Sequence, residues 1–105
     1  MQKILVVDDA EVNREILRVM LEDDYDVIMA ADGEEALDAL KRRQDDISAV
    51  LLDLHMPKMD GFAVISDLKE HGWLQKIPVL IISSEHAIEV ENKCLEMGVS
   101  DFIHK

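Results

Sequence analysis

Three short apolar runs stop abruptly at residues that can do chemistry. Residues 4–7 give way to Asp8 and Asp9, residues 49–52 to Asp53, and residues 79–82 to Ser83 and Ser84. A shorter run, Phe102-Ile103, is followed after His104 by Lys105. Crowded carboxylates raise one another's pKa, so three of them at neighbouring run ends need a cation to stay ionised together. A hard divalent ion with oxygen ligands meets that need. Mg²⁺ suits it best, because it keeps several waters and is bound through only one or two carboxylates. A hydroxyl and an ammonium at the other run ends supply a hydrogen bond and a positive charge for the oxygens of a transferring phosphoryl group. Each residue alone has an ordinary structural use: Asp8 or Asp9 caps a following helix, and Ser84 caps a later one. The convergence of four run ends on one charge-complementary set is what points to a Mg²⁺-dependent phosphoryl site.

The elements that must bring these ends together are legible in the spacing of apolar residues. The runs at 4–7, 27–30, 49–52 and 79–82, with the shorter Phe102-Ile103, have the continuity of strands buried on both faces. Between them lie stretches with helical spacing. Val12, Ile16, Val19 and Met20 form one stripe, with Arg14, Glu15 and Arg18 elsewhere on that helix surface. Further stripes are Ala36, Leu37 and Leu40; Phe62, Ile65 and Leu68; and Val90, Cys94 and Met97. Asp32 followed by Glu35 has the form of a capping box. Lys41-Arg42-Arg43 suit a helix carboxyl end, and Gly72 and Gly98 suit left-handed helix ends. The order βαβαβαβαβ predicts a parallel sheet with helices on its faces, an open three-layer α/β sandwich. In such sheets ligands and chemistry collect beyond the carboxyl ends of the strands.

The composition narrows the function classes. The chain has 105 residues, 11 basic and 23 acidic, for a net charge of −12. That length predicts one domain. The charge argues against unaided binding to nucleic acid or to an anionic membrane, and suits cations or a basic partner. The single cysteine, Cys94, rules out an internal disulfide and a multi-cysteine metal site and suggests a reducing compartment. It reads as a small core hydrophobe. No apolar run nears the roughly 20 residues that span a bilayer, and the apolar start is too brief for a signal peptide. A soluble cytoplasmic protein is expected. His71, His86 and His104 lack ligand-like spacing, and Trp73, away from the run ends, reads as structural.

Together these segments resemble a known family. Val6-Val7-Asp8-Asp9, Leu51-Leu52-Asp53-Leu54-His55-Met56-Pro57-Lys58-Met59-Asp60-Gly61, Ile81-Ile82-Ser83-Ser84 and Gly98-Val99-Ser100-Asp101-Phe102-Ile103-His104-Lys105 resemble, in order, the receiver domain of two-component response regulators. Ala31-Asp32-Gly33-Glu34-Glu35-Ala36-Leu37 is similar to the start of that family's second helix. The resemblance implies a flavodoxin-like doubly wound parallel sheet with strand order 2-1-3-4-5. It implies a phosphorylatable switch with self-catalysed phosphoryl transfer and hydrolysis, not a metabolic enzyme. Asp53 would be the phosphoacceptor, taking its group from a phosphohistidine of a histidine kinase or phosphotransfer protein. Asp9 would ligate Mg²⁺ directly and Asp8 mainly through water, with Asp53 and the backbone carbonyl of His55 completing the set. Ser83 would hydrogen-bond the phosphoryl group, and Lys105 would pair with the carboxylates and then with the phosphoryl oxygens. Phe102 would couple its rotamer to Ser83 and so switch a surface read by an output domain or effector. His55 and Glu85 would flank the group and tune its exposure to water. The domain itself would bind neither nucleic acid nor membrane.

Two other classes fit less well. A haloacid-dehalogenase-type hydrolase wants a second aspartate two residues after the nucleophile, where His55 stands. A flavodoxin-like flavin module wants a Ser/Thr/Gly-rich phosphate loop, where Asp8-Asp9-Ala10-Glu11 would repel the phosphate. A degenerate receiver is disfavoured because the acceptor, metal and switch positions are all filled. The family continues past the lysine into a fifth helix. Residues 1–105 are expected to be a receiver fragment ending after strand five, the alternatives being that the fifth helix is dispensable or supplied by another chain. In this strand order right-handed crossovers put helix one alone on one face, with helices two, three and four on the other. Strands one, three and five would then be short of cover on the helix-one side, and self-association is expected.

Overall fold

The apolar runs become five parallel strands, and everything else in the molecule is arranged around them. The computed structural model describes residues 2–43, 45–53, 55–56, 59–83 and 88–104. In chain order the elements are β1 (Lys3–Val7), α1 (Glu11–Leu21), β2 (Asp26–Ala30), α2 (Gly33–Arg43), β3 (Ile47–Asp53), β4 (His55–Met56), β5 (Met59–Asp60), α3 (Gly61–Glu70), α4 (Trp73–Lys76), β6 (Val79–Ser83), α5 (Ile88–Met97) and β7 (Asp101–His104). The main sheet runs β2-β1-β3-β6-β7, which is the expected 2-1-3-4-5 order of its five strands. β4 and β5 pair antiparallel as a separate two-residue ladder.

Register sorts the sheet's side chains onto two faces. Val7 pairs with Leu52, Leu52 with Ile81, and Ile81 with Phe102. These residues share a face with Leu5, Ala30, Val50 and Val79, and together with Ala36 and Leu40 of α2, Val64, Ile65 and Leu68 of α3 and Cys94 of α5 they form one buried cluster. Trp73, at the start of α4, closes the far end of this core and stacks on His71 with ring centroids 4.6 Å apart. The predicted stripes of the second, third and last long helices therefore do face the sheet.

Among the described residues the opposite face is covered by α1 alone, and here the stripe expectation is corrected. Val12, Ile16, Val19 and Met20 are 70%, 53%, 58% and 70% exposed, and α1 has no buried residue. The α1 residues that line the cleft against the sheet are Asn13, Ile16 and Leu17, of which Asn13 and Leu17 are half-buried. The apolar stripe is real, but it stays exposed; Ile16 borders the cleft against the sheet, and Val12, Val19 and Met20 do not line that cleft. A second correction concerns the strands. Ile4 and Val6 of β1 are buried, so strand one is covered. The under-covered residues are Leu51, Leu80 and Ile82, half-buried, and Ile103, exposed, on β3, β6 and β7.

Local signals hold at the helix ends. Glu35 N–H donates to Asp32 Oδ1 at 2.8 Å, and Glu35 Oε2 accepts from Ala31 N–H at 2.7 Å, one residue earlier than in the usual box. Gly72 and Gly98 have φ of 78° and 110°.

Candidate functional site

Because Val7 and Leu52 are register partners on adjacent strands, the residues that follow them, Asp8 and Asp53, emerge side by side at the carboxyl edge of the sheet. Both are buried, 2% and 5% exposed, an unusual state for aspartate. They line one end of a cleft of about 200 Å³ between α1 and the sheet, whose walls include Asn13, Leu17, Leu51 and Ile82. Asp9 is half-buried beside it and does not line it.

Asp8 is held from several sides. Its N–H donates to the Ala30 carbonyl at 3.1 Å, tying it to β2. Its Oδ1 accepts the Ala10 N–H at 2.9 Å, an Asx-type turn that starts α1. Its backbone carbonyl accepts from Arg14 Nη1 at 2.6 Å. Asp8 thus shapes the turn that leads into α1, but the capping use foreseen for Asp8 or Asp9 is not found: the N-cap position is Ala10, and it carries no side-chain cap hydrogen bond.

Ser83, at the end of β6, is fully buried, and Phe102 on β7 is 6% exposed. Ser83 follows Ile81, the register partner of Phe102, by two residues. Side chains alternate along a strand, so Ser83 and Phe102 share a face on neighbouring strands. His55 starts β4, directly beyond the Asp53 end of β3. Lys105 and Glu85 lie outside the described residues.

The match of the response regulator receiver domain family covers residues 4–105. The chain belongs to that family. The receiver is 40% identical over 105 residues to a probable transcriptional regulator, ycf27, of Porphyridium aerugineum, covering 99% of this chain and 42% of that protein. It is 36% identical to the two-component response regulator ORR5 of rice, Oryza sativa, covering 97% of this chain and 76% of the relative. Among solved structures, chemotaxis protein CheY4 of Vibrio cholerae superposes with a TM-score of 0.90 at 28% identity, over 100% of this receiver and 87% of that chain. A CheY of Borrelia burgdorferi, solved in a CheX-CheY-BeF3-Mg complex, superposes with a TM-score of 0.86 at 32% identity, over 99% and 78%. The receiver thus spans less than half of the ycf27 relative and about three quarters of ORR5. The family is one of signalling domains, not metabolic enzymes.

Among the described residues, no three His, Cys, Asp or Glu side chains converge as a ready metal cage. The donor chemistry still suits Mg²⁺, which takes one or two carboxylates and fills its octahedron with water. Two residues next to the candidate site escaped sequence reading. Asn13 lines the cleft, and Arg14, read as surface, reaches Asp8. The available signal was a cation in the first turn of a helix, where the dipole disfavours it.

Proposed function

We propose that this receiver is a phosphoacceptor switch of a two-component pathway, taking a phosphoryl group onto Asp53 from a phosphohistidine of a histidine kinase or phosphotransfer protein in a Mg²⁺-dependent reaction. The observation that carries the reading is the buried carboxylate of Asp53 at the end of the central strand, sharing a cleft with a second buried carboxylate, Asp8. In the transfer, an Asp53 carboxylate oxygen attacks phosphorus. The O–P bond forms as the P–N bond breaks, and the imidazole nitrogen leaves with the bonding pair. A bound Mg²⁺ would offset the carboxylate charge and orient the phosphoryl oxygens. Asp9, Asp8, Asp53 and the backbone carbonyl of His55 are the residues we assign to hold it.

Ser83 donates its hydroxyl hydrogen to one phosphoryl oxygen, and the ammonium of Lys105 pairs with another. As Ser83 is drawn toward the group, Phe102 fills the space it leaves. An output domain or effector that prefers the filled arrangement then meets a shifted population. The side chains of His55 and Glu85 set how readily water reaches the acyl phosphate. Since the chain spans 42% of the ycf27 relative, residues 1–105 fit the receiver portion of a longer cytoplasmic regulator.

Incubation with Mg²⁺ and acetyl phosphate, followed by intact-mass measurement, tests the reading. Wild type should gain one phosphoryl group. Asp53→Asn should gain none, and chelation should abolish the gain in wild type. A wild type that gains nothing would mark a degenerate receiver used only for interaction. An Asp53→Asn protein labelled as fast as wild type would remove Asp53 from its role.

A further inference from the structure

We propose that Arg14 is a positioning residue of the acidic site, holding the peptide between Asp8 and Asp9 so that both carboxylates are presented to one divalent cation. The inference rests on the acidic-site reading above. Arg14 Nη1 donates to the Asp8 carbonyl at 2.6 Å, and that carbonyl belongs to the peptide whose N–H is Asp9's own. The other polar groups of Asp8 are committed nearby, its N–H to Ala30 and its Oδ1 to Ala10. The guanidinium therefore fixes the orientation of the one peptide plane that joins the two carboxylate-bearing residues. Charged donors make the stronger hydrogen bonds.

The placement is not what helix energetics would choose. Arg14 falls in the first turn of α1, where the positive end of the helix dipole disfavours a cation. The next arginine along, Arg18, behaves as an ordinary surface residue, bridging Glu15 and Glu22 on its own helix. Arg14 instead lies half-buried against the loop that carries the acidic pair.

Two effects of Arg14 on a bound cation have opposite signs. Its charge repels the cation, so charge alone predicts that removing Arg14 tightens binding. Its hydrogen bond orders the ligand-bearing loop, so positioning predicts that removal weakens binding. The inference commits to the second effect, because outer groups that orient ligands typically matter by 10- to 100-fold, roughly.

Mn²⁺ titration of the phosphate-free protein, with free ion counted by electron paramagnetic resonance, decides it. Arg14→Met, which keeps side-chain length without charge or donors, should bind roughly tenfold more weakly than wild type. Arg14→Lys, which keeps a charged donor on a shorter stem, should restore part of that loss. Unchanged or tighter binding by Arg14→Met overturns the inference, as does a lysine variant no better than methionine. If Arg14→Met does not fold, Arg14→Gln carries the same expectation and the same overturning result. Asp9→Asn is the control on the underlying site. If it binds Mn²⁺ as well as wild type, the acidic-site reading fails and this inference falls with it. If only the arginine variants are silent, the site stands and the role of Arg14 does not.

Discussion

At the scale of single residues, burial decides which side chains are available for chemistry. Asp8, Asp53 and Ser83 are the buried polar side chains among the described residues, and all three stand at the carboxyl edge of the sheet. Burying a carboxylate costs free energy unless partners compensate, and the grouping of these residues at one edge is what makes that edge the candidate site. Cys94 is the opposite case. It is fully buried in the apolar cluster between α5 and the sheet, and burial pushes its thiol above the ordinary 9.0, opposed in part by Lys93. A group whose folded pKa is raised contributes stability that is full below its unfolded pKa and is lost as pH rises through its folded value. Cys94→Ala should therefore cost about 1 kcal/mol at neutral pH, and the gap to wild type should narrow as pH climbs above 9.0. Urea unfolding at pH 7 and at pH 10 checks the sign; a gap that widens would refute it. A thiol reagent should also react with native Cys94 no faster than local opening allows.

At the scale of elements, spacing told which segments form helices and strands more surely than it told what they face. The strands at 27–30 and 79–82 differ by one residue from those observed, because a continuous apolar run bounded by polar residues has little freedom to slide. The stripe of α1 was legible as a stripe, yet nothing in a 3.6-residue period says whether a sheet or solvent lies against it. Asn13, Ile16 and Leu17 are the α1 residues at the cleft against the sheet, a set that mixes polar and apolar side chains and so gives no apolar period to read. The short α4 and the β4–β5 pairing escaped for a simpler reason: segments of four and two residues carry no period to detect. At the site, Asp8, Asp53 and Ser83 were legible because each interrupts an apolar run. The reach of Arg14 was not, because it depends on a side-chain path across six residues. The two glycine ends make an element-scale prediction. A Cβ at Gly72 would meet nothing within 4 Å, so Gly72→Ala should cost only the left-handed backbone penalty, about 1 kcal/mol. Gly98, at φ 110°, lies farther from the left-handed well and would meet Leu74 at 3.6 Å. Gly98→Ala should be the more destabilising of the two in paired denaturant curves, and equal costs would contradict the backbone argument.

At the scale of the molecule, the two faces of the sheet differ in what they still expose. One is sealed by α2, α3 and α5 over a single cluster. On the other, Ile16 of the α1 stripe lines an open cleft with Leu51 and Ile82, and Val12, Val19 and Met20 on α1 and Ile103 on β7 are exposed. Parallel sheets are usually covered on both faces, and a contiguous apolar surface of this kind usually finds a partner. The 105-residue chain should therefore self-associate through this face. Its net charge of −12 works against that contact, since two copies repel. Salt separates the two forces. The Debye length falls from about 30 Å at 0.01 M to about 3 Å at 1 M, so added salt removes the repulsion and leaves the apolar attraction in place. Sedimentation velocity should show more association at high salt than at low salt, opposite to the trend for a charge-driven contact. The double variant Val19→Gln, Met20→Gln changes no charge and touches two exposed side chains. It should shift the population toward monomer while each substitution alters unfolding by no more than about 0.5 kcal/mol. A wild-type chain that stays monomeric at both salt levels, or a double variant that associates as strongly as wild type, would show that this face is not the one that meets another copy.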